Sequence, residues 1–468
     1  MASEPARLIR GLGPWAAMAI VVGTMIGTGI FLKPSVMARD TGSIFLIFAA
    51  WIIGGALSLA GALSYAELGA ALPEAGGEYP YLRRGLGEKW AFMFGWMHSI
   101  VGRPASAASI AAGLLLFGGF LQPAVKTEIF AFDIPRPWAD SAYTFKFTWA
   151  QPLAALVIML VTFVNYLGVR LGGQIQVFLT FIKLAAVAAV LVLGLALSSE
   201  NPTAFQPMMP ENWNGATLAG FFAALAAALW AYDGWNNINL VGSEVKDPQR
   251  NIPLSLVGGV SFVMLAYLLT TSVFFYALPF GDVADKNFTA STAIERFAGA
   301  NAAKWFTLAL VCSALGTLNS SILSGARVPY AMAKEGVFFR VTAGVHPQYH
   351  TPGGALILQG ILAGLVVLTG SFDELTDLYI FAQWIFYALT TSVVFWLRKK
   401  EPDLPRPYRT WGYPVVPALF LIGAAALTVN LWMKNPGRST AGIAFILLGL
   451  VFFWIWKKRL KATAASRP

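Results

Sequence analysis

Two long apolar stretches of this chain are each interrupted at their centre by residues that break helices. The first interruption reads GTMIGTGIF at residues 23–31, and the second reads WAYDGWNN at residues 230–237. Both stretches are long enough to cross a bilayer as helices. A broken helix in hydrocarbon leaves backbone groups unpaired, so such breaks are tolerated where those groups line a cavity. The sequence therefore predicts a membrane protein with a binding site at the two breaks.

Composition supports the membrane class and excludes several others. Hydrophobic residues make up 57% of the 468 residues and charged residues 12%, against about 25% charged in ordinary soluble domains. The formal net charge is +10, but the basic residues lie in short loops, so we expect membrane lipid rather than nucleic acid as a partner. The single cysteine, Cys312, permits no intrachain disulfide. The sequence shows no metal cluster, phosphate loop or Ser-His-Asp arrangement, so we expect no metal, no cofactor and no enzyme activity.

Apolar runs predict an all-α membrane protein of about twelve spanning helices in a single domain, residues 1–468. The spans lie near residues 14–38, 43–72, 90–122, 149–170, 172–199, 217–242, 253–279, 303–333, 354–371, 374–398, 413–433 and 439–459. Each broken span is followed by four more, which predicts two inverted repeats at 14–199 and 217–398. Two additional helices occupy 413–459.

The distribution of basic residues predicts the orientation. With the N-terminus inside, the inner segments carry about twice as many Lys and Arg residues as the outer segments. We therefore expect both termini in the cytoplasm and the protein in the cell's inner (plasma) membrane.

The two breaks offer complementary groups. Gly27, Thr28 and Gly29 can present successive N–H groups at the start of a half-helix, which suits a carboxylate. Alternatively, these small residues only allow close helix packing. Unwinding after Trp230 would free carbonyls from Trp230 to Asp233, which suit an ammonium group. Together the breaks match the main-chain groups of an α-amino acid.

Two ionisable residues lie in the middle of spans, where charge is costly. Asp233 can bind a cationic side chain, accept a hydrogen bond or titrate; alternatively, it caps an unwound backbone N–H. Lys183 can replace a bound sodium ion, carry a proton or pair with Asp233. Ser320 and Ser321 can hydrogen-bond Lys183 or act only in helix packing.

Other candidates rest on weaker patterns. Trp230 and Trp384 can gate the site, although Trp more often serves packing. Arg103 in span three can line the pore or extend its charge to the surface. His98 is interpreted as structural.

The residues at 23–31, 103–106, 230–236 and 244–253 resemble the amino acid–polyamine–organocation superfamily. Within it they resemble the L-amino acid transporter family, which includes light chains of heteromeric amino acid transporters and bacterial serine/threonine exchangers. The similarity runs from about Pro14 to Trp432. It implies a LeuT-type fold of five plus five inverted helices with discontinuous helices 1 and 6. It also implies sodium-independent exchange of neutral and possibly cationic L-amino acids.

The resemblance also implies roles for particular residues. Amides of the first break would bind the substrate carboxylate, and carbonyls of both breaks would bind its amine. Lys183, facing Ser320 or Ser321, would replace a bound sodium ion. Two tryptophans would gate access to the site. The substrate residues implied are Ile26, Thr28, Gly29, Ile30, Trp230, Ala231, Asp233 and Asn236; the gates are Trp230 and Trp384. The loop at 123–148 lacks the cysteine of heteromeric members, so no disulfide-linked heavy chain is expected.

Two other functions compete with exchange. The first is proton-coupled uptake of amino acids or polyamines, which differs in whether Lys183 keeps its charge during the cycle. The second is a non-transporting amino acid sensor, which we expect to carry a signalling domain or long tail that this sequence does not show.

Overall fold

A computed structural model describes residues 7–134, 143–198, 201–285, 290–369 and 372–465. Helices dominate it, which confirms the all-α membrane class. The first eight helices are α1 Pro14–Met25, α2 Gly29–Thr41, α3 Ile44–Ala71, α4 Glu78–Gly85, α5 Glu88–Met97, α6 Arg103–Leu121, α7 Ala150–Tyr166 and α8 Val169–Leu197. The remaining ten are α9 Gly215–Tyr232, α10 Asn237–Leu240, α11 Pro248–Ala277, α12 Phe280–Val283, α13 Ala290–Gly325, α14 Arg327–Lys334, α15 Gly353–Val367, α16 Phe372–Lys400, α17 Val415–Lys434 and α18 Pro436–Ala465.

Shorter helical turns join several of these helices. A π-helical turn, His98–Gly102, links α5 to α6. Turns of 3-10 helix occur at Pro123–Lys126, Gly242–Glu244 and Arg340–Ala343.

Helix ends follow local sequence signals. Ser43 caps α3 by accepting a hydrogen bond from Leu46 N at 3.5 Å, and α3 ends just before Pro73. Asn214 caps α9 in the same way, accepting from Thr217 N at 3.0 Å. These caps satisfy backbone donors that a helix start leaves free.

Ten helical segments of the described chain are long and apolar enough to cross a membrane. Two shorter apolar helices, Ala150–Tyr166 and Gly353–Val367, fall where the fourth and ninth spans are predicted. The count of twelve and the two inverted repeats remain predictions.

A β-hairpin occupies the loop between α6 and α7, where the sequence analysis expected none. Strands β1 Glu128–Ile134 and β2 Tyr143–Thr148 pair antiparallel, with Phe130 opposite Phe147 and Phe132 opposite Phe145. Alternating aromatic residues are a period-two strand signal, whereas the prolines and charges of this segment predict a long loop. The loop's Pro135 and Pro137 lie outside the described residues.

The sequence between the seventh and eighth predicted spans also predicts a short helix, from Thr289 to Ala298, and its described residues form the first part of α13. Thr289 lies outside the described residues. Gly299 has φ +83°, so its non-helical backbone separates this part from the long apolar helix that follows.

Leu12 and Lys457, near the two ends of the described chain, lie at one end of the bundle. Leu12 pairs with Val245 in a parallel bridge, and the loop at Ala75 pairs with Val241. Lys457 forms an ion pair at 2.7 Å with Glu88, the first residue of α5. We call this the terminus end; the hairpin end is the opposite one, where β1 and β2 follow α6.

Candidate functional site

The first break separates α1 from α2. Helix α1 ends at Met25, Ile26 leaves the helical conformation with ψ 80°, and α2 begins at Gly29. The first N–H groups of α2 have no acceptor within that helix, so its N-terminus can bind an anion. A Cβ on Gly29 would lie 2.8 Å from Ala231 Cβ, so only glycine lets the two breaks approach this closely.

The second break starts later than the sequence predicts. Helix α9 continues past Trp230 to Tyr232, and the chain unwinds from Asp233 to Asn236. The Trp230 carbonyl still accepts from Asp233 N at 3.2 Å. Gly234 has φ +95°, a conformation that glycine adopts without strain. Unwinding, which we expect directly after Trp230, therefore begins two residues later.

Tyr267 on α11 ties the two breaks together. Its hydroxyl lies 2.6 Å from the Met25 carbonyl oxygen and 2.7 Å from the Ala231 carbonyl oxygen. Sequence reasoning missed this residue because it lies within an uninterrupted apolar span and belongs to no motif. A carbonyl oxygen has two lone pairs, so Ala231 can still accept from a ligand.

A cavity of about 70 Å³ lies between the breaks. Six of the predicted site residues line it: Thr28, Gly29, Trp230, Ala231, Asp233 and Ser321. Ile26, Ile30, Asn236, Lys183, Ser320 and Trp384 are not among its lining residues. The Ile26 carbonyl instead accepts from Ser313 Oγ at 3.4 Å. The structure thus brings together the two breaks as predicted, but places part of the expected set behind them.

Lys183 is fully buried beside α1. Its ammonium donates to the Gly23 carbonyl and to Thr317 Oγ1, the latter at 2.7 Å. The predicted partners Ser320 and Ser321 do not contact it: Ser320 pairs with Thr24 at 2.5 Å. Helical spacing explains the difference, because Thr317 lies one turn before them on the same helix face.

Arg103 begins α6 immediately after the π-helical turn and lines the cavity. Its guanidinium donates to Asn237 Oδ1 and, at 3.4 Å, to Ser321 Oγ. The side chain is buried, so it belongs to the pore-lining alternative. π-helical turns are common at functional sites, but apart from Pro104 no residue here predicts one from the sequence.

Asp233 connects the cavity to a polar chain. The Tyr387 hydroxyl lies 2.8 Å from Asp233 Oδ1 and 2.9 Å from Asn236 Oδ1. Trp384 packs behind Tyr387, with ring centroids 5.8 Å apart, and stacks on Phe420. Trp384 therefore touches the site only through Tyr387.

Trp230 covers the cavity beside α2. The Lys33 ammonium lies 4.2 Å from the centroid of the Trp230 ring, a cation–π contact. This contact joins the two half-helices α2 and α9 on one side of the cavity.

At the terminus end, an ion pair and a backbone hydrogen bond join distant segments of the chain. Arg327 and Glu244 are both buried and form a two-point ion pair at 2.6 and 2.8 Å. The Leu12 carbonyl accepts from Lys246 N at 2.8 Å. These contacts join residues 244–246 to α14 and to the chain before α1.

The arrangement can bind a zwitterion: amide donors, carbonyl acceptors and a buried cation surround one small cavity between two broken helices. A multi-span helical bundle with this feature defines the class of secondary transporters. The profile of the amino acid permease family matches residues 12–456. The chain belongs to the amino acid permease family and is a multi-pass membrane transporter, not an enzyme.

Individual relatives are similar over nearly their whole length. The serine/threonine exchanger SteT of Bacillus subtilis (strain 168) is 29% identical over 463 residues, 98% of this chain and 99% of that protein. The b(0,+)-type amino acid transporter 1 of Oryctolagus cuniculus is 31% identical over 456 residues, 96% and 88% of the two chains. The cystine/glutamate transporter of Homo sapiens is 29% identical over 461 residues, 97% and 87%.

Proposed function

We propose that this protein exchanges L-amino acids across the cell membrane by alternating access, without sodium. The observation that carries the proposal is the pair of breaks around one cavity, with the Lys183 ammonium fixed beside the first. Amides of Thr28 and Gly29 bind the substrate carboxylate, and carbonyls near Ala231 bind its amine. The names of the relatives, which include exchangers, support exchange.

Lys183 supports the sodium-independent part of this proposal. Its charge already satisfies the Gly23 carbonyl and the Thr317 hydroxyl. Oxygen ligands of this kind are those that a small cation prefers. A resident ammonium therefore supplies the charge that a co-transported cation would otherwise bring.

The proposal extends to topology and partners. We assign the terminus end, where Leu12 and Lys457 lie, to the cytoplasm from the excess of basic residues in its loops. The sole cysteine, Cys312, lies in the spanning helix α13, so a heavy chain linked by a disulfide is not expected.

Counterflow into proteoliposomes tests the proposal. Vesicles loaded with one amino acid are screened against the proteinogenic amino acids, in sodium or choline at fixed ionic strength. We expect uptake only into loaded vesicles, with the same rate in both salts. A steep rise with sodium would exclude the sodium-independent mechanism, and uptake into empty vesicles driven by a pH gradient would favour proton-coupled symport.

A substitution at Asp233 separates its two interpretations. If its carboxylate binds a cationic side chain, Asp233→Asn removes a charge-assisted bond of about 1.5–3 kcal/mol. The affinity for arginine as a competitor should then fall by a factor of about ten or more, whereas competition by alanine and leucine should change little. We measure competition by arginine, serine, alanine and leucine. Equal loss for the whole panel would assign Asp233 to supporting the break through Tyr387.

A further inference from the structure

Glu78 is a buried carboxyl that the sequence analysis did not single out. It begins α4, in the loop between α3 and α5, and has no exposed surface. Its Oε1 accepts from Asn236 Nδ2, whereas its Oε2 has no hydrogen-bond partner. A buried carboxylate oxygen without a donor is costly, and protonation removes most of that cost.

A row of polar side chains joins Glu78 to the cavity. Asn236 donates to Glu78, and the Tyr387 hydroxyl lies within hydrogen-bond distance of both Asn236 Oδ1 and Asp233 Oδ1 at the cavity wall, so its one proton can serve either of them. Asn236 and Tyr387 are both fully buried. A change at Glu78 can therefore reach the unwound segment of the second break through two side chains.

The loop that carries Glu78 is fixed against the helix that follows the second break. Gly76 N donates to the Leu240 carbonyl at 2.9 Å. Gly77 has φ +52°, and a Cβ there would lie 3.0 Å from Leu240 N. Because this loop lies at the terminus end, a movement that opens that end would expose the buried Glu78 carboxyl to water.

We propose that Glu78 is a positioning residue of the transport cycle: through Asn236 it holds the second break closed toward the terminus end, and its protonation state sets how readily that end opens. The proposal rests on the proposed exchange function and adds a coupling between exchange rate and pH.

The groups around Glu78 determine the direction of this coupling. Its own backbone N–H, Arg103 and Asn236 favour the charged form of Glu78; Asp233 opposes it; Tyr65 and Tyr81 face it from α3 and α4. Burial is the largest influence and raises the pKa of Glu78 to about 7. In water that pKa returns toward its ordinary value of about 4.5, so the closed form binds the proton more tightly.

Acid should therefore stabilise the closed form. The stabilisation is full below about pH 4.5 and is lost as the pH rises through about 7. Where opening of the terminus end limits the transport cycle, the rate of amino acid exchange should be about threefold to 30-fold lower at about pH 5.5 than at about pH 8.

Exchange by wild-type protein and two variants tests this, with equal pH on both sides of the proteoliposome membrane. Glu78→Gln imitates the neutral carboxyl, so we expect slow exchange that no longer follows this pH change. Glu78→Ala removes the acceptor of Asn236 and should exchange faster than Glu78→Gln. Glu74→Gln, at a half-exposed acid of the same loop, should keep the wild-type profile. If the exchange rate of Glu78→Gln still depends on pH as the wild-type rate does, the proposal is overturned.

Hydrogen–deuterium exchange of the wild-type protein provides a measurement that needs no variant. After correction for intrinsic rates, residues 73–87 should be better protected at about pH 5.5 than at about pH 8. Equal or reversed protection overturns the role of Glu78. Absence of any amino acid exchange by the wild type instead overturns the proposed function, and the protection of the loop then still tests Glu78 separately.

Discussion

Replacing Lys183 with alanine is expected to slow amino acid exchange about 100-fold or more, with the protein still folded. The ammonium makes two charge-assisted hydrogen bonds, to the Gly23 carbonyl and to Thr317. Each is worth about 1.5–3 kcal/mol, and about 1.4 kcal/mol corresponds to a factor of ten. Without them, α8 loses its bonds from position 183 to α1 and α13 next to the first break, and other hydrogen bonds between these helices remain.

Two further variants make this result specific. Lys183→Met keeps most of the side-chain volume and removes the charge, so it should fail like the alanine variant. Lys304→Ala, at an exposed lysine of α13, should exchange like the wild type. We measure counterflow rates alongside thermal unfolding. If Lys183→Met exchanges amino acids at the wild-type rate, no charge is needed at this position.

Removing either main-chain group of a substrate is expected to weaken its competition by about tenfold to 100-fold. Amides at Thr28 and Gly29 are buried, so a missing carboxylate leaves them unpaired. A missing amine leaves the Ala231 carbonyl with the Tyr267 hydroxyl as its remaining donor and its second lone pair without one. An unpaired buried neutral group costs about 1–3 kcal/mol, and a charged group costs more. Cadaverine should therefore compete much more weakly than lysine.

Competition assays with matched pairs measure this effect. Each amino acid is compared with its decarboxylated amine at the same concentration in the counterflow assay. If an amine competes as well as its parent, the site is a polyamine site, and the symport alternative gains support.

The sequence predicted the membrane class, the two breaks and their meeting, because each rests on local chemistry. Apolar length indicates a span, and glycines within one indicate where the helix can break. The central positions of Lys183 and Asp233 could also be identified, since charge within an apolar span is rare.

Partners of these residues could not be predicted, because they come from distant parts of the chain. Tyr267 reaches both breaks from within an unremarkable apolar helix. Thr317, not Ser320 or Ser321, meets Lys183, since the rotation of α13 is set by packing against α6 and α8. The burial of Glu78 likewise depends on how its loop packs on α10. The hairpin is different, because its phenylalanines alternate with other residues, a period-two pattern that predicts β-strands from the sequence alone.

The most direct test of the central claim is an experimental structure with a transported amino acid bound. We predict ligand density in the cavity between the breaks, with the carboxylate at the amides of Thr28 and Gly29 and the amine near the Ala231 carbonyl. Density only elsewhere on the protein, with this cavity unoccupied at saturating amino acid, would contradict the account.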